Sequence, residues 1–250
     1  MTSVAISALV FVCVFGGALL GLALQGLLPA RHFSAHSKDL VRLATGLIAT
    51  MAALVLGLLI ASAKTSYDTQ SAEFMQVSAK LVLLDRTLGH YGSEATPARE
   101  FLRRLVAALL ERIGDARSSQ PVPFAPTASA EHMYDVLHKL VPQTEAQRTA
   151  RTEALGITRD ISLARWLLFA QQHGSIPMPF LVMLVFWLTM ILTGFGLLAP
   201  RDGTAATALL ICSLSLAGAI FLILELDRPF DGLLRVSIAP LSDALAQLGR

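Results

Sequence analysis

Charge is scarce in this chain of 250 residues: charged residues make up 15%, and the formal net charge is +2. So even a balance offers no basic surface for nucleic acid. Cysteine is nearly absent too. Cys13 and Cys212 both sit inside apolar runs, where a thiol behaves as a small hydrophobe, so neither a disulfide nor a metal site is expected. A Gly-rich phosphate loop, a nucleophile elbow and a paired-cysteine motif are all missing. With no nucleophile, base and metal arrangement in view, no enzyme activity and no cofactor are expected.

What the chain has is apolar surface. Hydrophobic residues make up 54% and the mean hydropathy is +0.61, values that belong to membrane proteins. Residues 43–63 carry no charge, a run of about 21 positions or roughly 31 Å of helix, enough to cross a bilayer core. The run continues without Gly or Pro into Lys64-Thr65-Ser66-Tyr67-Asp68. One helix is therefore expected to leave the membrane and continue into water. Gly46, Thr50, Ala53, Gly57 and Ala61 recur every three or four residues and share one face. Such a stripe has two physical meanings: it lets another backbone approach closely, or it lines a passage. Close packing is the commoner of the two.

Residues 4–28 form another uncharged run, without a basic leader and too long for a signal-peptide core, so a retained membrane helix is expected. Pro29 ends it. The link at residues 30–42 carries Arg31, His32, His36 and Lys38. His32 and His36 have helical metal-ligand spacing, but no Cys or nearby Glu completes a set, which favours a solvated loop.

Residues 64–175 are polar and read as helical. Phe74, Val77, Leu81, Leu84 and Leu88 keep one apolar face, and His90-Tyr91-Gly92 ends that helix. Thr96-Pro97 reads as a cap and first-turn proline for a helix buried through Leu102, Leu105, Val106, Leu109 and Ile113. Residues 117–129 read as a loop, and residues 130–141 as a short helix stopped by Pro142. Residues 144–172 read as one long helix with contacts from Leu155, Ile157, Ile161, Ala164, Trp166, Leu167 and Leu168. Ser175-Ile176-Pro177 opens a third span that runs to Pro200, with Ser175 as cap and Pro177 in the first turn. After a turn at Arg201-Asp202-Gly203, a fourth span covers residues 204–224, and an amphipathic tail carries Val236, Ile238, Pro240 and Leu241.

The expected fold is all-α, with four transmembrane helices and a helical cytoplasmic extension between spans two and three. Its parts are residues 1–63, 64–175, 176–225 and 226–250. Four spans put both termini on one side. That side carries Lys64, Lys80, Arg159, Arg165, Arg228 and Arg235, against Arg31, Lys38, Arg42 and Arg201 on the other. The larger basic set points to a multi-pass inner-membrane protein with both termini in the cytoplasm.

Three polar clusters invite a role. Lys64 lies on the small-residue face: it either snorkels to the headgroups or stands as a cation at a pore mouth, with Tyr67 and Asp68 just beyond. Asp85 and Arg86 are neighbours in sequence and so do not face each other; each needs a partner elsewhere, an ion pair between helices by default. Glu225, Asp227, Arg228, Pro229 and Phe230 close the fourth span, either as a polar terminus or as a ring facing ions.

At these clusters the chain resembles the bacterial bestrophin-like domain proteins. The strings GLLIASAKTSYDTQS, LVLLDRTLGHYG, SIPMPFLVMLVFWL and ILELDRPFDGLLRVSIAPL carry the resemblance, which covers nearly the whole chain. It is also distantly similar to bestrophins proper, pentameric anion channels with a helical cytosolic part between spans two and three. Bacterial members end the second span in Ser-Tyr-Asp-Arg-Trp-Trp, of which Ser66-Tyr67-Asp68 is kept here and Thr69 and Gln70 follow. An acidic stretch with Pro-Phe after the fourth span is similar to residues 225–230. Anchored on Ser66-Tyr67-Asp68, the resemblance places the pore constriction at Ala53, Gly57 and Ala61, which fall on the small-residue face. The channels have bulky apolar side chains there, gating by exclusion of water. Alanine and glycine imply a wider neck, a different helix placement, or a packing seam with no pore.

One subunit of four helices offers no conduit, so a channel requires a closed homo-oligomer in the lipid bilayer, a pentamer by resemblance. It would pass small anions such as chloride along Thr50, Ala53, Gly57, Ala61 and Lys64. The alternative is a non-conducting membrane anchor or sensor whose helical bundle recruits a partner.

Overall fold

A computed structural model describes residues 2–27, 35–114, 128–171, 176–200, 202–227 and 236–249. Among the described residues every regular element is helical and no strand is present. The helices are α1 (Ser3–Leu27), α2 (Ala35–Tyr91), α3 (Thr96–Gly114), α4 (Ala128–His138), α5 (Glu145–Gln171), α6 (Met178–Leu198), α7 (Gly203–Leu226) and α8 (Ala239–Gln247), with a 3-10 turn at Ser93–Ala95. The chain divides into two units: residues 1–67 with 174–228, and residues 68–173 with 229–250. Helix α2 supplies residues to both.

The first unit holds α1, residues 35–67 of α2, α6 and α7. Each of these helices is long and apolar enough to cross a membrane. Their packing relies on small residues where backbones approach. A Cβ built on Gly21 would strike the Thr193 carbonyl, and one on Gly196 would strike the Ala18 carbonyl. Gly17 leaves only 2.7 Å between its built Cβ and Thr189 Cγ2. Gly17 and Gly21 thus form a Gly-x-x-x-Gly seam on α1 against α6, the close approach that replaces hydrophobic driving force inside lipid. Thr189 and Thr193 donate their hydroxyls to the carbonyls of Val185 (2.8 Å) and Thr189 (2.7 Å), so the seam holds polar groups already satisfied. Gly194 leaves room for Thr45 of α2, whose Oγ1 lies 2.8 Å from a built Cβ. Val14, Ala18, Leu184, Ile220 and Ile223 are fully enclosed around these contacts.

The second unit is an amphipathic bundle. Phe74, Val77, Leu81, Leu84 and Leu88 of α2 are all buried, as are Leu102 and Val106 of α3 and Ile157, Ile161 and Leu168 of α5. Gly92, at φ 119°, ends α2 in a conformation that costs a side chain dearly. Lys80 reaches Asp160 at 3.1 Å, joining α2 to α5. Helix α5 begins with a capping box: Thr144 Oγ1 accepts from the Gln147 N–H at 3.2 Å, and Gln147 Oε1 accepts from the Thr144 N–H at 3.3 Å. Gln147 Nε2 also donates to the Tyr91 carbonyl at 3.1 Å, tying the end of α2 to the start of α5. Arg151 donates to the carbonyls of Leu137 (3.1 Å) and His138 (3.0 Å), satisfying the last turn of α4.

Several local expectations need correction. Helix α2 starts at Ala35 rather than near residue 43, because nothing between them breaks a helix and Asp39 and Arg42 support it at i,i+3. Thr96 is already helical, at φ −51° and ψ −44°, and the 3-10 turn precedes it. In α6, Pro177 is the extended N-cap at ψ 121°, and Pro179 takes the first-turn position assigned to Pro177. The expected cap Ser175 lies outside the described residues. Asp202 is a true cap: its Oδ1 accepts from the Ala205 N–H at 2.8 Å. Helix α4 stops at His138, short of Pro142. Trp166 and Leu167, expected to supply contacts of the long helix, are exposed.

Candidate functional site

Helix α2 presents three faces within the first unit. Thr45, Ala52, Leu59 and Ala63 turn inward and are buried. Roughly 130° around the helix, at 3.6 residues per turn, lies the small-residue face. Gly46, Thr50, Ala53, Gly57, Ala61 and Lys64 are all exposed there. A Cβ built on Gly46 or Gly57 would meet nothing within 4 Å. Beside this face run Leu43, Leu47, Leu54 and Leu58, all well exposed, Leu54 at 75%. Only 17% of the most apolar stretch of α2 is buried, against 28% for α1 and 33% for α6 and α7. The fold thus uses its close-packing glycines on α1 and α6 and leaves the stripe on α2 exposed. The Gly17–Gly21 seam was the feature sequence reasoning missed, although its spacing was visible.

The polar groups at the end of this face are ordered. Thr50 donates its hydroxyl to the Leu47 carbonyl at 2.7 Å, so no unsatisfied donor stands in the stripe. Lys64 Nζ lies 5.8 Å from the ring centroid of Tyr67, within reach of a cation–π contact one turn along. Lys64 is exposed and Tyr67 half-buried, so the ring steadies a cation that stays accessible. Asp68, exposed, falls in the second unit.

Glu225 sits at the end of α7 and is 4% exposed, and Asp227 caps that helix, half-buried, with its N–H on the Ile223 carbonyl at 3.1 Å. Arg228, Pro229 and Phe230 lie outside the described residues.

Asp85 and Arg86 part company. Arg86 is exposed. Asp85 is 2% exposed and receives Arg99 in a two-armed bond, Nε to Oδ1 at 2.8 Å and Nη2 to Oδ2 at 2.7 Å. The Gly249 N–H adds a third bond to Oδ2 at 3.0 Å. Burial pushes the Asp85 carboxyl upward, but the Arg99 and Gly249 donors together with the Arg99 charge outweigh it and hold it below the usual carboxylate value. Arg99 is correspondingly raised, chiefly by its bond to Asp85. For Asp85, an ion pair between helices is what the structure shows, with Arg99 of α3 as the partner. Arg99 and Gly249 were not singled out from sequence. The clue for Arg99 is its place one turn before Leu102 on the buried stripe of α3.

Among the described residues no three His, Cys, Asp or Glu side chains converge to hold a metal. Cys13 and Cys212 are free and exposed on α1 and α7.

The model of the bestrophin-like domain matches residues 12–241. The chain belongs to the bestrophin-like domain family. No curated protein and no solved structure matches it. Four apolar helices within a bestrophin-like domain make it a multi-pass membrane protein. In this bestrophin-like chain, the matched residues take in all of α2, the Asp85–Arg99 pair and the end of α7.

Proposed function

We propose that copies of this bestrophin-like protein close into a ring, with the small-residue faces of α2 turned toward a shared axis, and that small anions pass along it. One observation carries the reading: the face of Gly46, Thr50, Ala53, Gly57 and Ala61 is exposed, and a Cβ built on Gly46 or Gly57 would meet nothing within 4 Å. The adjoining leucines Leu43, Leu47, Leu54 and Leu58 offer the apolar surface that neighbouring copies would cover. Cyclic closure is the usual solution for such an interface. Resemblance to bestrophins makes five the expected number. Lys64, steadied on Tyr67 at the end of the stripe, supplies a positive mouth that favours anions. With alanine and glycine at the neck, a wide passage is expected rather than a dry apolar constriction. The larger set of basic residues near one group of span ends favours a cytoplasmic side for residues 64–175 and both termini, in keeping with an inner-membrane protein. On this reading the protein is a conduit, not an enzyme.

A second reading has its own support. Met75, Leu83 and Val141 are exposed on the second unit, surface that a partner of a non-conducting anchor could cover.

The test is flux from proteoliposomes under opposing Cl⁻ and K⁺ gradients, with the mass of the detergent-solubilised particle measured alongside. Chloride flux that Lys64→Glu turns toward cations supports the conduit. A monomeric particle, or a well-ordered oligomer that passes neither ion, overturns it in favour of the anchor.

A further inference from the structure

The exposed face of α5 changes character along its length. In its first four turns that face carries Glu145, Arg148, Thr149, Thr152 and Glu153, and Arg159 follows. From there the same face carries Leu163, Trp166, Leu167 and Ala170, all exposed, at the i, i+3, i+4, i+7 spacing of an apolar stripe. Trp166 is 53% exposed and stands edge-on to Phe169, with centroids 5.7 Å apart. The buried side of the helix at this level is filled independently by Ile161 and Leu168, so the exposed stripe is not needed to close the bundle core.

The change falls at the end of α5 that leads into a membrane span. Six residues lie between Gln171 and Met178, the first residue of α6, and the seven steps of chain that join them reach at most about 25 Å. We infer that the last two turns of α5 dock on the lipid surface, with Leu163, Trp166 and Leu167 entering the boundary between headgroups and acyl chains. The stripe from Leu163 to Ala170 measures about 10 Å along the axis, the depth scale of that boundary. Tryptophan is the side chain most at home there, its ring in the apolar layer and its N–H toward water. A contact between copies would not require the face to turn apolar where the chain approaches its next span. The inference rests on α6 crossing the membrane, not on conduction.

The chain has two tryptophans, so Trp187→Phe leaves Trp166 as sole reporter in proteoliposomes. Fluorescence is compared between plain lipids and lipids brominated near the headgroup end of the acyl chain. Severalfold quenching by bromine, with little quenching by aqueous iodide, is the expected result, and Leu163→Glu with Leu167→Glu should abolish it. Red-shifted emission quenched by iodide would show a face in water and overturn the inference. Blue emission immune to both quenchers would show burial against another copy and overturn it equally. If Trp187→Phe fails to fold, the difference between wild type and Trp166→Phe reads the same signal.

Discussion

Arg99 holds Asp85 with two parallel bonds of 2.8 and 2.7 Å, joining the first turn of α3 to the last two turns of α2. The two partners are unequally covered: the side chain of Asp85 is 3% exposed and that of Arg99 is 24%. Removing either therefore has different consequences. Arg99→Ala strands a buried carboxylate with the Gly249 N–H as its remaining donor, and should cost roughly 3–5 kcal/mol. Asp85→Ala leaves an arginine that can turn to water, and should cost clearly less. Thermal melting followed by circular dichroism in detergent ranks the two.

The same pair has a pH signature. Asp85 titrates below its unfolded value of 3.8 when folded. Its contribution to stability is complete above that value and is lost as pH falls through the lower folded one. Asp85→Asn should therefore show a shallower loss of stability below about pH 4 than wild type, with no change in slope near neutrality. Melting temperatures across an acid series check this.

Two glycines on different helices should respond oppositely to one methyl group. At Gly21 the added carbon meets the Thr193 carbonyl and lies 2.9 Å from the Leu197 nitrogen, so Gly21→Ala should lose about 1–3 kcal/mol through overpacking. At Gly57 nothing lies within 4 Å, so Gly57→Ala should be neutral or gain up to ~1 kcal/mol of helix propensity. Yield and melting temperature of the two variants in one detergent decide the matter.

Gln147 serves two ends at once. Thr144→Ala removes one cap and should cost about 1 kcal/mol. Gln147→Ala removes the reciprocal cap and the bond to the Tyr91 carbonyl, and should cost more. Comparative melting tests the order.

Much of this architecture is legible in the sequence because apolar periodicity is a strong signal. The stripe from Phe74 to Leu88 announces the buried side of α2, and four uncharged runs announce the spans. The small-residue face of α2 is legible as a face, but its meaning is not: spacing alone cannot distinguish Gly46 and Gly57, which meet open space, from Gly17 and Gly21, which meet α6. Only the partner helix decides that. Asp85 announces itself as a buried charge, whereas Arg99 is one of several arginines on α3 and is chosen by long-range geometry. Trp166 and Leu167, read as contact residues of the long helix, depart from that reading for a related reason. Helical periodicity marks Trp166 and Leu167 as apolar, but it does not say which apolar residues the bundle covers, and these two are left exposed.

If copies close into a ring as proposed, the small-residue face of α2 borders a water-filled axis. The most direct measurement is cysteine accessibility along residues 46–64 in proteoliposomes, using an impermeant anionic thiol reagent in a background with Cys13 and Cys212 replaced by Ala. A ring of this kind gives reaction at cysteines placed at 46, 50, 53, 57 and 61, silence at 54 and 58, and loss of chloride flux on modification at 57. Silence at every position inside the span, or reaction on the leucine face instead, would contradict it.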